Sequence, residues 1–135
     1  MSASPLSPFR LDPEKLAGRG LEEMPPWPTE AILEGESKHR RCIFFRGDLV
    51  VEVYEAAPAK FQIVAPYDEF IHILEGELIL VAEDGESFEY AAGDWVMLPK
   101  GWTGTWENRG NYRELIAAER KSWEASASAT GANHE

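Results

Sequence analysis

Short strand-like segments separated by turn residues fill the chain between residues 40 and 121. Valine, isoleucine, threonine and aromatic residues dominate these segments, while glycine, aspartate and proline recur between them at near-regular intervals. The tripeptide Arg46-Gly47-Asp48 is one such turn. This spacing is typical of an antiparallel sandwich or barrel and argues against a fold of alternating strands and helices. We therefore predict an all-β domain over 40–121.

The residues before this domain differ in composition. Residues 1–39 are rich in proline and weakly periodic, with the densest proline run around Trp27. Because proline removes a backbone donor and restricts the residue before it, the segment is predicted to form an extended arm. One short helix is expected near 13–17, with Asp12 as its N-cap and Gly18 at its end. The apolar side chains of the arm need a surface, either on the same chain or on a neighbouring subunit.

The other end of the chain, residues 122–135, is small and polar, which predicts a flexible C-terminal tail with His134 in it. No segment is apolar enough to span a bilayer, and the N-terminus lacks the basic-then-apolar order of a signal peptide. The single cysteine, Cys42, fits a reducing compartment. We therefore expect a cytoplasmic protein.

Acidic residues outnumber basic ones by 24 to 13, for a formal net charge of −11. This balance argues against binding to nucleic-acid phosphates, which uses clustered Lys and Arg, and against binding to an anionic membrane surface. The stretch 61–99 contains acids but no Lys or Arg, whereas basic residues cluster at 38–46 and 109–121. Since the acidic strands of one subunit suit the basic segments of another, we expect a homodimer.

Two sets of landmarks in the strand-rich region resemble the two cupin motifs. The second motif is matched in register by four residues: Gly93, Pro99, Gly101 and Asn108. Its histidine is missing, because Gly104 occupies that position. Glu69 and Gly76 match the end of the first motif, in which two histidines precede the glutamate. The resemblance implies a double-stranded β-helix, the cupin jelly-roll barrel.

Further segments narrow the resemblance to the ureidoglycine-aminohydrolase-type cupin family: 54–61, 67–70, 74–77 and 104–107. Single-domain members of that family are small bacterial proteins, and many lack the metal-binding histidines. The well-understood ureidoglycine enzymes are longer, contain two cupin domains and depend on a metal. Because this chain has one cupin domain, the resemblance implies the fold and does not carry over their activity.

A cupin metal is normally held by three histidines and one glutamate, and only Glu69 is kept here. The two upstream histidine positions fall on Ile63 and Ala65 or, with the other spacing, on Gln62 and Val64. Because a single carboxylate cannot hold a catalytic transition metal, we expect no metal site and no other cofactor. A weaker alternative keeps a metal through Glu69 and donors outside the motifs.

The other candidate donors have simpler interpretations. His72 lies three residues after Glu69 on a predicted strand, so alternation places it on the opposite face, at the surface or a subunit interface. His39 follows a basic residue and is expected to be solvated or paired with an acid. Cys42 is expected to be a small buried hydrophobe.

Strand alternation also predicts which side chains line the barrel. Trp106 shares the face of Gly104, and Ile71 and Ile73 share the face of Glu69. The interior so drawn is apolar with one carboxylate, which suits a small organic ligand. The candidate ligand-binding residues are Trp106, Tyr54, Tyr67, Gln62, Met97, Trp102 and Arg113.

Three of the predicted placements are more specific. Met97 and Trp95 share one strand face, and we expect Trp95 to fill the core. Trp102, in a turn, is expected at the barrel mouth. Arg113 is expected either to bind a ligand carboxylate or to counter an acid at the surface.

Glu69 is the candidate catalytic residue. In one interpretation it pairs with an internal donor, and in the other its apolar neighbours raise its pKa so that it serves as a general acid or base. We therefore predict a metal-independent cupin that binds a small molecule, and that is an enzyme on a nitrogenous or carboxylic metabolite if Glu69 is reactive. The alternative is a non-catalytic module that senses a metabolite or binds a partner protein.

Overall fold

The computed structural model describes residues 6–130, and nine antiparallel strands form most of it. The strands are β1 (Glu22–Glu23), β2 (Ile32–Gly35), β3 (His39–Arg46), β4 (Leu49–Ala56), β5 (Ala59–Val64), β6 (Glu69–Ala82), β7 (Ser87–Ala91), β8 (Trp95–Leu98) and β9 (Thr103–Glu119). Two α-helices flank them, α1 (Pro13–Leu16) and α2 (Arg120–Thr130). The predicted all-β fold with a curled antiparallel sheet, as in a cupin jelly roll, is confirmed.

The two longest strands, β6 and β9, close the barrel. The first half of β9 pairs with β5 and its second half pairs with β4, while β6 pairs with both halves on the other side. The register of β6 shifts around Gly76, which has φ +84°. A Cβ there would lie 2.7 Å from the Arg109 carbonyl oxygen, so the bend requires glycine. This bend turns β6 from one half of β9 to the other.

Alternation along the strands fills the barrel with apolar side chains. The main core is built from twelve buried residues of the barrel, including Ile71, Ile73 and Trp106. A smaller cluster consists of Val50, Tyr67, Ala118 and Trp123. Leu98 and Trp106 of the main core also line the barrel cavity described below.

The N-terminal arm packs on the barrel of its own chain. Its strand β1 extends the sheet beside β3, and β2 extends it beside β5. The Trp27 ring stacks on Phe61 with 4.7 Å between ring centroids, and the Arg113 Nε donates to the Leu16 carbonyl oxygen at 2.8 Å. The α1 helix begins after Asp12, whose side chain accepts from the Glu14 amide.

The C-terminal segment differs from the expected flexible tail. Residues Arg120–Thr130 form α2, and Trp123 is buried in the smaller cluster. A composition rich in alanine and serine is compatible with a helix once one large side chain anchors it to the body. His134 lies outside the described residues. Within residues 6–130, no helix is long and apolar enough to cross a membrane.

Candidate functional site

A cavity of about 140 Å³ opens into the barrel interior. Its lining comes from the arm, the barrel strands and α2: Trp27, Tyr54, Gln62, Ile63, Val64, Pro66, Glu69, Leu98, Trp106 and Ser126. Val64 is 63% exposed and Gln62 is exposed as well, so these two side chains lie on the solvent side of the lining. The volume is close to that of cavities of about 150 Å³ that hold one benzene-sized molecule.

Glu69 lies at the start of β6 and is only 2% exposed. It pairs in register with Leu98, and Ile71 and Ile73 follow it on the same inward face, as alternation predicts. A carboxyl group in this position is removed from bulk water and borders an apolar cavity. The carboxyl group therefore faces the space that a small molecule in the cavity would occupy.

Trp106 and Tyr54 form the aromatic part of the lining. The Trp106 indole Nε1 donates to the Asn108 Oδ1 at 3.2 Å, which fixes the ring beside the cavity. The Tyr54 hydroxyl lies 3.2 Å from the His39 Nδ1, and the His39 Nε2 lies 2.6 Å from the Pro25 carbonyl oxygen. A carbonyl only accepts, so Nε2 is the donor to Pro25.

His39 is buried, which contradicts the expectation that it is solvated. Its two ring nitrogens lie within hydrogen-bond distance of a tyrosine hydroxyl and a backbone carbonyl. It connects the arm, through Pro25, to Tyr54 in the cavity lining. His72 does lie on the outer face of β6, where its Nδ1 approaches the Asp94 carbonyl oxygen at 3.2 Å and its ring stacks on Trp95.

The position of the missing cupin histidine has no room for a side chain. A Cβ on Gly104 would lie 2.2 Å from the Val81 carbonyl oxygen and 2.6 Å from the Trp102 ring. The Trp102 ring therefore packs beside the backbone where the ligand histidine would stand. Among residues 6–130, no group of three or more His, Cys, Asp or Glu side chains could hold a metal ion. The donor set does not fit a cupin metal.

Four of the predicted ligand-binding residues lie away from the cavity lining. Tyr67 is buried in the smaller cluster, and Trp102 packs against the main core. Met97 is 55% exposed on the outer face of β8. Arg113 binds Glu55 and Glu75, with its Nη1 2.9 Å from the Glu75 Oε1.

The core position predicted for Trp95 is wrong. Trp95 is 64% exposed, because β8 directs Val96 and Leu98 inward. The outer face of the sheet thus exposes an apolar set consisting of Phe70, Trp95 and Met97, with Phe70 and Met97 opposite each other in register.

Two further glutamates are fully buried in the barrel interior, Glu52 on β4 and Glu114 on β9. The Trp123 Nε1 donates to the Glu52 Oε2 at 3.1 Å, and the Tyr112 hydroxyl donates to the Glu114 Oε1. Burial, with a contribution from the negative charge of Glu69, raises the pKa of Glu52 to about 8, although Arg41 and the Trp123 donor oppose the shift. Glu52 is therefore mostly protonated at neutral pH.

The comparisons with known proteins agree with this architecture. The family model of the EutQ-like cupin domain matches residues 45–113, about half of the chain. The chain belongs to the EutQ-like cupin family. No curated protein matches this EutQ-like cupin at a significant level.

Several solved structures share the fold of this EutQ-like cupin. A protein of unknown function from Pseudomonas syringae pv. tomato has a TM-score of 0.68 at 22% identity, over 73% of this chain and 43% of that chain. A putative ethanolamine utilization protein Q from Salmonella typhimurium has a TM-score of 0.55 at 25% identity, over 62% and 70%. The polyketide cyclase RemF from Streptomyces resistomycificus has a TM-score of 0.57 at 18% identity, over 84% and 80%. The chain thus spans less than half the length of the Pseudomonas protein.

Sequence reasoning missed three features of the EutQ-like cupin site. Trp27 joins the lining from the arm, and its only signal was an aromatic ring in a proline-rich run that needed a surface. Ser126 joins it from α2 and had no signal, because the helix itself was not expected. Glu52 could have been found from the alternation of β4, in which it shares the inward face of Tyr54.

Proposed function

We propose that this EutQ-like cupin binds a small organic molecule in the barrel cavity without the help of a metal. The observation that carries the proposal is the cavity of about 140 Å³ with the Glu69 carboxyl and three aromatic side chains in its lining. Small-molecule sites are typically concave and mostly apolar, with a few polar groups that fix the orientation of the ligand. The absence of space for a ligand histidine at Gly104 supports a metal-independent mode of binding.

A ligand screen with a blocked cavity tests this proposal. Compounds of up to about six heavy atoms are screened by ligand-observed NMR against the wild-type chain. Val64→Trp places a large ring at an exposed position of the lining, whereas Met97→Trp places the same ring at an exposed position on the outer face. We expect hits that Val64→Trp abolishes and Met97→Trp retains. Hits that persist in both variants, or no hits at all, would overturn the proposal.

Catalysis is the finer form of the proposal, with Glu69 as the general acid or base. A buried carboxyl beside an apolar cavity has the environment that such a role needs, and it borders the space where a substrate would lie. For any compound that the cavity turns over, Glu69→Gln should abolish turnover and retain binding. If the bound compounds are released unchanged under all conditions, the protein is a binding module and the catalytic form fails.

The outer face of the sheet favours the alternative function of protein interaction. Phe70, Trp95 and Met97 are all exposed there, and the Phe70 and Trp95 rings stack at 5.8 Å between centroids. We propose a second copy of the chain as the occupant, because one apolar patch can pack against its own copy across a two-fold axis. Light scattering should give a dimer for the wild type and a monomer for Trp95→Ser. A monomeric wild type would contradict it.

A further inference from the structure

The charge of the cavity lining separates the two ligand classes, nitrogenous and carboxylic, that the sequence left open. Of the described residues that line the cavity, Glu69 is the one acid, and none is Lys, Arg or His. A carboxylate ligand would therefore meet a second carboxyl group and no basic side chain. A cationic ligand would meet an opposite charge in a place largely removed from water, where electrostatic attraction is stronger than in bulk solvent.

Two other ionisable side chains buried in the barrel interior are also acidic. Glu114 is fully buried on β9, which pairs with the strand of Glu69, and Glu52 is fully buried on β4, on the other side of β9. Arg41 is the basic side chain within ion-pair distance of Glu52, with 3.8 Å between the Arg41 Nη1 and the Glu52 Oε1. Arg113, which could have served an anionic ligand, binds Glu55 and Glu75 on the outer face. The interior is thus rich in acids and poor in bases.

The aromatic side chains add a second preference for cations. Trp27, Tyr54 and Trp106 line the cavity together with Glu69. Aromatic rings attract cations electrostatically, and clusters of aromatic rings with a carboxylate are a frequent means of binding organic ammonium groups. Leu98 and Ile63 supply apolar surface for the alkyl part of such a ligand.

We propose that the cavity binds a small protonated amine, with its ammonium group beside the Glu69 carboxylate and its alkyl part against Trp106 and Leu98. The inference rests on the proposed function, since it names the chemical class of the molecule in the same cavity. The cavity volume of about 140 Å³ limits the amine to about six heavy atoms.

Three probes of matched shape test the charge preference on the wild-type chain. Isobutylammonium, isobutanol and isobutyrate share one branched alkyl group and differ in charge at neutral pH. Titration calorimetry at low salt should give a dissociation constant for isobutylammonium at least about tenfold below those of the other two. Equal affinities, or tighter binding of isobutyrate, would overturn the inference while leaving the proposed function intact. Absence of binding by all three would overturn both.

A pair of isosteric variants then locates the charge that is responsible. Glu69→Gln removes the carboxylate of the lining, and Glu114→Gln makes the same change on the interior strand β9 outside the lining. We expect Glu69→Gln to weaken isobutylammonium binding by about tenfold or more and to leave isobutanol binding unchanged. Glu114→Gln should leave both affinities close to wild type. Equal losses in the two variants would overturn the assignment to Glu69. They would mean that the summed negative charge of the barrel interior, and not contact with Glu69, favours the cation.

Discussion

Strand β4 carries two buried glutamates, Glu52 on its inner face and Glu55 on its outer face. Glu55 accepts from Arg40, whose Nε lies 3.1 Å from its Oε1, and is bound by Arg113 at 3.5 Å. Glu52 has one arginine at 3.8 Å and an indole donor from Trp123. Two residues of one type, three positions apart, thus lie in opposite electrostatic surroundings.

The difference between the two faces explains what each can do. On the outer face the arginines neutralise Glu55, and Arg113 also holds the arm through the Leu16 carbonyl oxygen, so the charge has a structural role. On the inner face burial raises the pKa of Glu52 to about 8, so this carboxyl group is mostly protonated and uncharged at neutral pH. On the inner side of the barrel, Glu69 lines the cavity of about 140 Å³, whereas Glu55 lines a separate pocket together with Arg40 and His39.

The largest expected effect comes from the ionisation of Glu52. Its pKa rises on folding from an ordinary value of 4.5 to about 8, so the unfolded chain loses this proton at lower pH than the folded chain does. The contribution of Glu52 to stability is therefore complete below pH 4.5 and is lost as the pH rises to about 8, by at most about 5 kcal/mol. Glu52→Gln should lack this loss, as urea unfolding at pH 5 and pH ~8.5 will show. The exposed Glu83→Gln is the control, and identical pH profiles for wild type and Glu52→Gln would contradict the prediction.

Removal of Arg113 should weaken the ion-pair network on the outer face of β4 and lower the stability of the protein. Arg113→Met leaves Glu55 with Arg40 alone and leaves the Leu16 carbonyl oxygen without its donor. Because a buried carboxylate loses a partner, we expect the free energy of unfolding to fall by about 3 kcal/mol in urea titrations. Arg109→Met removes an arginine from the exposed pair with Glu107 and should change little. If the two variants lose equal stability, the outer network does not hold the arm.

A smaller effect is expected from Glu69, which influences the ionisation of Glu52 on the inner face of β4. The negative charge of Glu69 is one cause of the raised pKa of Glu52, after burial. Glu69→Gln should therefore move the pH range in which stability is lost towards lower pH. The shift should be under about one pH unit, because burial remains. An unchanged profile would mean that the two carboxyl groups do not interact.

The smallest effect is expected for Arg40, the more exposed partner of Glu55. Its side chain is 37% exposed, so solvent screens the pair, and Glu55 keeps Arg113. Arg40→Met should lower the free energy of unfolding by about 1 kcal/mol or less in the same urea titration. A loss as large as that of Arg113→Met would show that the two arginines act as one unit.

The sequence was most informative where alternation had a fixed reference point. Glu69 marked the inward face of β6, and from it the burial of Ile71 and Ile73 and the outward position of His72 followed. On β8 no such marker existed, because all four side chains are apolar and either face could have turned inward. Trp95 and Met97 were therefore assigned to the wrong face.

Features that depend on contacts distant in sequence could not be predicted in this way. The ion pairs of Arg113 are made with Glu55 and Glu75, which lie on other strands and come close to it only in the folded chain. The order of residues 122–130 depends on the burial of Trp123, and local composition alone favoured a flexible segment. The cavity lining includes residues from both ends of the described chain, and no sequence motif links these two ends.

Trp27 and Ser126 are separated by almost the whole barrel sequence, yet both line the same cavity. The region around the cavity is therefore sensitive to cleavage at either end of the chain. Removal of the arm up to Pro28, or of α2 after Lys121, would strip away part of the lining and leave Glu69 in place. A bound ligand should in turn protect both segments from proteases, so that resistance to digestion at two remote sites rises together.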